Sequence, residues 1–392
     1  MVFSKLHKIY REYRFKGTQS SSSCNLFSFI RYIILFRMKY GVNVEEFFSN
    51  GLYKKEYKKT DYYQNLHIVI HQWSNVKRHF CPDLSLFKSI MYRIDYLFSK
   101  VFYPGLDPMD YFRYEFFNIR HQKRDSFITE GGLKKLDKFF NGQKSQKRFV
   151  HILENKAAFN ELFHDLIDRK WIITKKADYA SFEAFCDGLN SVIVKPIDGG
   201  AGHGIFIAKV DDDAARREVF EKTHEKNYII EELIKQCNEL SSINPSSVNT
   251  IRVYSVVHQS KVFITGATLR MGNGDKPIDN YSAGGLAAEI ETETGLVISK
   301  AVSQFGERFS VHPYTGTSII GFHIPEWRKI KDTVTRAHSR IMELRYIGWD
   351  VVVCNDGKIR LIEANTCAGV ALQQHPGLQG KKALYSSFVA KR

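Results

Sequence analysis

Gly348-Trp349-Asp350-Val-Val-Val-Cys354-Asn355-Asp356-Gly357-Lys358-Ile-Arg-Leu-Ile-Glu363-Ala364-Asn365 reads as two apolar runs joined by a tight turn, with three oxygen-bearing side chains. Asp356-Gly357 predicts a two-residue type I′ turn, because both central positions of that turn need positive φ. A turn centred there pairs Asn355 with Lys358, and counting outward sets Asp350 directly opposite Glu363. Opposed residues share a face, with Cβ atoms roughly 5 Å apart. Asn365 joins that face through the two-residue period of a strand. Two carboxylates and an amide oxygen thus converge on one patch, where two bare negative charges repel. A hard divalent cation such as Mg²⁺ relieves that conflict, since it takes oxygen ligands and usually shares them with phosphate. A hairpin with a solvated acidic face is the plainer alternative.

Working outward, the 392 residues suffice for two or three cores. A hydrophobic content of 43% with 14% aromatics excludes a disordered chain. The net charge is +15 and lies almost wholly in residues 1–150, which carry 27 Lys+Arg against 13 Asp+Glu. A basic, Phe- and Tyr-rich front fits an anionic partner such as a membrane surface, an acidic polysaccharide or a nucleic acid, or simply a solvated basic helical surface. The six cysteines lack Cys-x-x-Cys spacing, which argues against zinc and for free thiols in a reducing cytoplasm. The longest apolar stretch, Leu26 to Phe36, contains Arg31 and falls short of the ~20 residues a spanning helix needs. With no signal peptide evident, the expected location is cytoplasmic.

Residues 1–125 carry helical periodicity, at Leu26 to Phe36 and again at Leu84 to Phe102, and form a basic, aromatic-rich N-terminal region. Residues 126–235 begin with helical segments (Leu133 to Phe140, Lys156 to Ile167) and pass into short strands. Residues 236–392 are β-rich (Thr250 to His258, Lys261 to Met271, Leu286 to Ile290, Leu296 to Ala301), with a helix from Glu326 to Leu344 before the acidic hairpin. Helices and strands intermix without βαβ repetition, so the fold class is α+β.

Between two strands lies Lys195-Pro196-Ile-Asp198-Gly199-Gly200-Ala201-Gly202-His203-Gly204. Its four glycines let backbone N–H groups approach an anion, and Lys195 ends the first strand where its ammonium can meet a phosphate oxygen. His203, at the tip, is a candidate phosphate contact. No Gly-Lys-Ser/Thr follows, and a strand stands where a helix would begin, so neither a P-loop nor a dinucleotide turn fits. Further on, Glu231-Glu232-Leu233-Ile234 ends a strand in a form that can present backbone donors and acceptors to an adenine edge, with Leu233 and Ile234 against its face. Arg252 and Arg270 sit in apolar strands, where each needs a structural acid or a bound anion. Gly272 to Gly285 is a long glycine-rich loop suited to a lid or substrate loop.

Together these residues resemble the ATP-grasp enzymes, in particular the branch associated with sugar transfer in cell-surface polysaccharide loci. The resemblance rests on Lys156 after Asn155, Lys195-Pro196 with its loop, Glu231 to Ile234, Arg252, Arg270 and Asp350/Glu363/Asn365 in that order. His312-Pro313, Gly321 to Trp327 and Gln373/Gln374 add to it. It implies an ATP-grasp fold of two α+β subdomains (126–235 and 236–392) gripping ATP behind a helical front. It further implies that Lys156 and Lys195 contact phosphates, that the Gly199 to Gly204 loop closes over them, and that Glu231 and Leu233 hold adenine and ribose. Asp350, Glu363 and Asn365 would bind Mg²⁺, with Arg252 or Arg270 steadying the phosphoryl group. The implied reaction is ATP-dependent joining of a carboxylate to an amine through an acyl phosphate, on sugar-linked substrates. The basic front would contact an anionic glycan or the inner membrane face, and no nucleic acid is expected. A kinase acting on a hydroxyl and a non-enzymatic anionic-surface binder remain as alternatives. Thr366-Cys367-Ala368-Gly369 lacks the proline that many such ligases carry after the Asn, so substrate-side details do not transfer.

Overall fold

Alternating and β-branched residues build two antiparallel sheets in the computed structural model, which describes residues 72–103, 105–198, 204–274 and 279–389. The expected helix at Leu26 to Phe36 lies outside these residues. The chain divides into two compact units, Met1–Gln72 with Ser85–Met91, and Trp73–Leu84 with Tyr92–Arg392. Of the first, the described part is Gln72 and the opening of a helix, Leu86–Phe102. All that follows concerns the second unit.

Its front is an aromatic core, which accounts for much of the Phe and Tyr content. The Trp73 ring lies 5.1 Å from Tyr96 and 4.9 Å from Phe112. Arg124 enters this layer because it is paired, donating to Asp95 at 2.9 Å and to Ser99 at 2.7 Å. The helix Pro108–Arg113 starts where Asp107 caps the Asp110 N–H and proline takes the first turn.

The smaller sheet has the order β1-β4-β2-β3, with β1 Trp171–Ile172, β2 Ser191–Pro196, β3 Phe206–Lys209 and β4 Tyr228–Glu232. Val192, Val194 and Ile230 point to one face and pack with Phe182 and Val219. Those last two lie on the helices Tyr179–Cys186 and Asp213–Thr223, capped by Asp178 and Asp212.

The larger sheet has the order β11-β10-β5-β6-β7-β8-β9. Its main strands are β5 Thr250–His258, β6 Lys261–Met271, β7 Leu286–Ile290, β10 Tyr346–Val353 and β11 Ile359–Asn365; the short β8 Ala301–Val302 and β9 Arg308–Phe309 complete it. One face, with Ile251, Val253, Leu269, Ala288 and Trp349, packs on Ile330, Val334 and Ala337 of the helix Trp327–Ser339. Two expected elements differ. Leu296 to Ala301 is no continuous strand, because Leu296 and Val297 make only isolated bridges to His323 and Ile290. The segment Lys156 to Ile167 breaks at Phe163 into Lys156–Leu162 and His164–Ile167.

The β10–β11 hairpin also differs in its turn. Cys354 N–H bonds to the Lys358 carbonyl and Gly357 N–H to the Cys354 carbonyl, with Gly357 at φ +73°. This is a three-residue loop closed by a left-handed glycine, with Asn355 and Asp356 at negative φ, in place of the type I′ turn. That shifts the register by one near the turn. A bulge between Asp350 and Val351 shifts it back, so Asp350 still faces Glu363.

Trp349 anchors the apolar face. Its ring meets Phe163 edge-on at 5.6 Å, and its Nε1 donates to Ser255 Oγ at 2.9 Å. Ser255 in turn contacts His338 Nδ1 at 2.7 Å, and burial pushes His338 down to about 4, keeping it neutral. Trp349→Ala is expected to cost about 3–5 kcal/mol, read as a lowered urea midpoint.

Candidate active site

The opposite face of the larger sheet is polar, and cross-strand register sets out its residues in rows. Glu363, Asp350, Arg252, Thr268 and Glu289 form one row across β11, β10, β5, β6 and β7. Thr250 and Arg270 are paired in a neighbouring row, while Gly348 lies between Asn365 and Tyr254 on the other side. Gly348 has to be small, since a Cβ there would sit 2.5 Å from Ala368 Cβ and 3.2 Å from Arg252 Cδ.

Asp350, 2% exposed, is held by two guanidiniums. Arg252 grips it through Nε and through Nη2 at 2.7 Å, and Arg270 Nη1 donates to it at 2.6 Å. Burial alone would raise this carboxyl, but the two arginines outweigh burial and hold it well below the usual carboxylate range. Arg270 Nη2 reaches Asp279 Oδ1 at 3.3 Å, and Asp279 also accepts from the Thr250 hydroxyl. Glu363 behaves oppositely. Its side chain keeps 45% exposure, yet desolvation and then the charge of Asp350 raise it. Desolvation is the larger of the two causes, and the charge of Asp350, its partner on the facing strand, is the next. Asn365 Nδ2 lies 3.3 Å from Glu363 Oε1, so the third oxygen-bearing side chain belongs to the same group. Two carboxyls at facing strand positions and a carboxamide beside them are oxygen donors of the kind a hard cation takes.

A second constellation sits on the smaller sheet. Lys195 Nζ is 2.6 Å from Glu231 Oε2. Arg169 Nε and Nη2 each donate to Glu231 at 3.2 Å, and Asn160 donates at 2.7 Å. Burial would raise Glu231, but Arg169 and Lys195 together hold it far below its ordinary value. Lys156 begins its helix beside this group, with its N–H 3.3 Å from the Ile197 carbonyl. Burial lowers the Lys156 ammonium, Glu363 raises it and Lys195 lowers it further. Lys156 thus lies in the field of charges from both sheets.

Glu232 accepts from Lys170 N–H at 3.3 Å. Leu233 and Ile234 are half-buried on the crossing to the larger sheet, which begins at the Gln236–Cys354 bridge. Gly199, Gly200, Gly202 and His203 lie outside the described residues, while Gly204 takes φ +74°. Arg169, Asn160, Asp279 and Thr250 join the site without a local sequence signal. Asp279 alone stood in a segment already marked, the glycine-rich loop.

Residues 135–384 match the family described as sugar-transfer associated ATP-grasp, and the chain belongs to that family. No curated protein sequence matches the chain. Solved structures with a similar fold include the ATP-grasp ligase PsnB complexed with minimal precursor, Mg and ADP. It shows 18% identity and a TM-score of 0.39, with 64% of this chain and 61% of PsnB covered. D-alanyl-alanine synthetase A from Vibrio cholerae gives 14% and 0.37, covering 62% and 66%. An L-amino acid ligase from Bacillus licheniformis gives 12% and 0.37, covering 61% and 48%. The chain therefore spans about three fifths of PsnB's length.

The two hairpin carboxyls predict opposite stability effects. Asp350, held low, contributes stability that is complete above the unfolded value of about 4 and is lost as pH falls through its folded value. Glu363, held high, contributes stability that is complete below the unfolded value of about 4 and is lost as pH rises through its higher folded value. At pH 7, Asp350→Asn is expected to cost about 3–5 kcal/mol, because two guanidiniums lose their buried charge partner. Glu363→Gln is expected to leave metal-free stability unchanged or higher. Urea titrations of both variants from pH 7 down to about pH 2 check the signs, with an Asp350→Asn penalty that is nearly unchanged at about pH 4 and shrinks below it.

Proposed function

We propose that this chain is an ATP-dependent carboxylate–amine ligase. What carries the reading is that Lys156 lies under the charges of both Glu363 and Lys195, while Arg169 binds both Glu231 and the strand that bears Glu363. Lys195 and Lys156 neutralise phosphate oxygens, the Gly199 to Gly204 loop covers them, and the Leu233–Ile234 crossing lies against adenine. Asp350, Glu363 and Asn365 would hold Mg²⁺, which when bound offsets negative charge on the transferred phosphoryl group.

A carboxylate oxygen of the acceptor attacks the γ-phosphorus in line, the bond to the bridging oxygen breaks, and ADP leaves. Arg270 takes part with a donor in hand, because its Nε is buried without a hydrogen-bond partner. Together with Arg252 it stabilises charge on the acyl phosphate. The amine then attacks the acyl carbon, loses a proton, and expels inorganic phosphate to leave an amide.

For substrates, the reading extends to an amino acid or amine joined to a sugar acid or glycan precursor in cell-surface polysaccharide synthesis. The family's association with sugar transfer supports this. So does the charge of residues 1–150, which suits an anionic glycan or the inner membrane face. Among the described residues no helix is long and apolar enough to cross a membrane.

ADP release screened with uronic acids and amino acids, followed by mass spectrometry, tests the reaction. The expected product is an amide formed with one ADP and one phosphate; phosphate left on the acceptor would instead establish a kinase. Chelation of Mg²⁺ should abolish turnover, and Lys195→Ala should lower kcat/KM by at least about 100-fold. Full turnover by Lys195→Ala would overturn the assignment.

A further inference from the structure

Glu231 is a buried carboxylate with more cationic partners than it has charge. Lys195 and Arg169 both bind it, and Asn160 adds a neutral donor. Arg169 and Glu231 side chains are each 2% exposed, whereas Lys195 keeps 11%. Arg169 is placed by local structure. Asp168, at φ +39°, ends the helix His164–Ile167 and turns the chain, and Trp171 then pairs with Glu231 as β1 joins β4. The third arm of Arg169 points elsewhere: Nη1 donates to the Leu361 carbonyl at 2.7 Å. Leu361 lies on β11, the edge strand of the larger sheet, two residues before Glu363. The neighbouring Asp168 is tied to the same hairpin, accepting from Lys358 at 2.7 Å and from Arg360 at 2.8 Å.

Lys195 cannot serve a phosphate while it is the sole partner of a buried carboxylate. Withdrawing it would strand an uncompensated charge in low dielectric, which is strongly unfavourable. With Arg169 in place, withdrawal leaves a one-to-one ion pair instead, donated through two guanidinium nitrogens. We propose that Arg169 is a positioning residue that keeps Glu231 neutralised when Lys195 turns to the nucleotide. It also fixes the β11 edge that carries Glu363 at a set distance from that lysine. This rests on the nucleotide reading of the site.

The test is binding of a fluorescent, N-methylanthraniloyl-labelled ATP in the presence of Mg²⁺ to the full chain. Absence of binding by the wild type overturns the nucleotide reading itself, before any variant is compared. Given wild-type binding, Arg169→Met is expected to raise Kd about tenfold or more, because Lys195 becomes locked on Glu231. Adding Glu231→Gln to Arg169→Met removes the charge that locks Lys195 and should lower Kd again relative to Arg169→Met alone. Arg169→Lys, which keeps a cation but loses the fork, should fall between. Thermal unfolding of each variant separates these effects from general damage. Wild-type affinity in Arg169→Met, or a double variant as weak as the single, would overturn the inference. Should Arg169→Met fail to fold, Arg169→Lys and the double variant decide it by the same comparison.

Discussion

The grip of Arg252 and Arg270 on the Asp350 carboxylate is the constraint on which the larger sheet and the site both depend. Three charges from three adjacent strands meet across two neighbouring buried rows, and none is tolerable there alone. Each strand must therefore enter in the one register that brings its charge to the others, since a slip of one residue turns it to the opposite face. The apolar face confirms that register through Trp349, Val253 and Leu269, so hydrophobic packing and charge pairing specify the same alignment. Buried ion pairs are weak contributors to stability but strong specifiers where removal of one member is costly. Here they specify a surface that presents guanidinium donors beside oxygen ligands.

The same logic governs the smaller sheet with the same signs. There too an acid is central and two cations surround it, so Lys195 is held in place by Glu231 yet is not needed to neutralise it. One sheet supplies an acid that two arginines secure, and the other supplies an ammonium that an acid secures. Lys156 stands in the field of both, with Glu363 on one side and Lys195 and Glu231 on the other.

Much of this was legible because it is local. Alternation fixes which face a strand residue occupies, so the shared face of Asp350, Glu363 and Asn365 could be read from spacing alone. The expected opposition of Asp350 and Glu363 is observed, although by a different route: the glycine-closed loop displaces the register by one and the bulge at Asp350/Val351 restores it. Neither feature has a signal that outweighs Asp356-Gly357, and the opposition of the Asp350 and Glu363 side chains is what the bulge achieves. Arg169 and Asp279 were not legible, because their meaning lies in partners far along the chain. Arg169 meets Glu231 and Leu361, 62 and 192 residues away, and nothing in Asp168-Arg169-Lys170 predicts either contact. Aromatic content at the front read as a possible surface for an anionic partner, whereas Trp73, Tyr96, Tyr111 and Phe112 are buried against one another.

The crossing between the sheets carries the last part of the argument. Glu232 is still paired with Val192 of the smaller sheet, and Gln236 is already bridged to Cys354 of the larger one. Only Leu233, Ile234 and Lys235 lie between, and even Lys235 gives its carbonyl to the Asn355 N–H. A connection this short permits little play between the sheets. Any adjustment on ligand binding must be absorbed by these three residues together with the Asp168–Arg169 clasp, which joins the same two sheets beside it. The half-buried Leu233 and Ile234 therefore sit where the sheets are most firmly related, the position from which a flat apolar ligand face can be met without either sheet moving. Lys195 and Lys156, by contrast, carry their charge on long stems that can follow an anion while the backbone stays fixed.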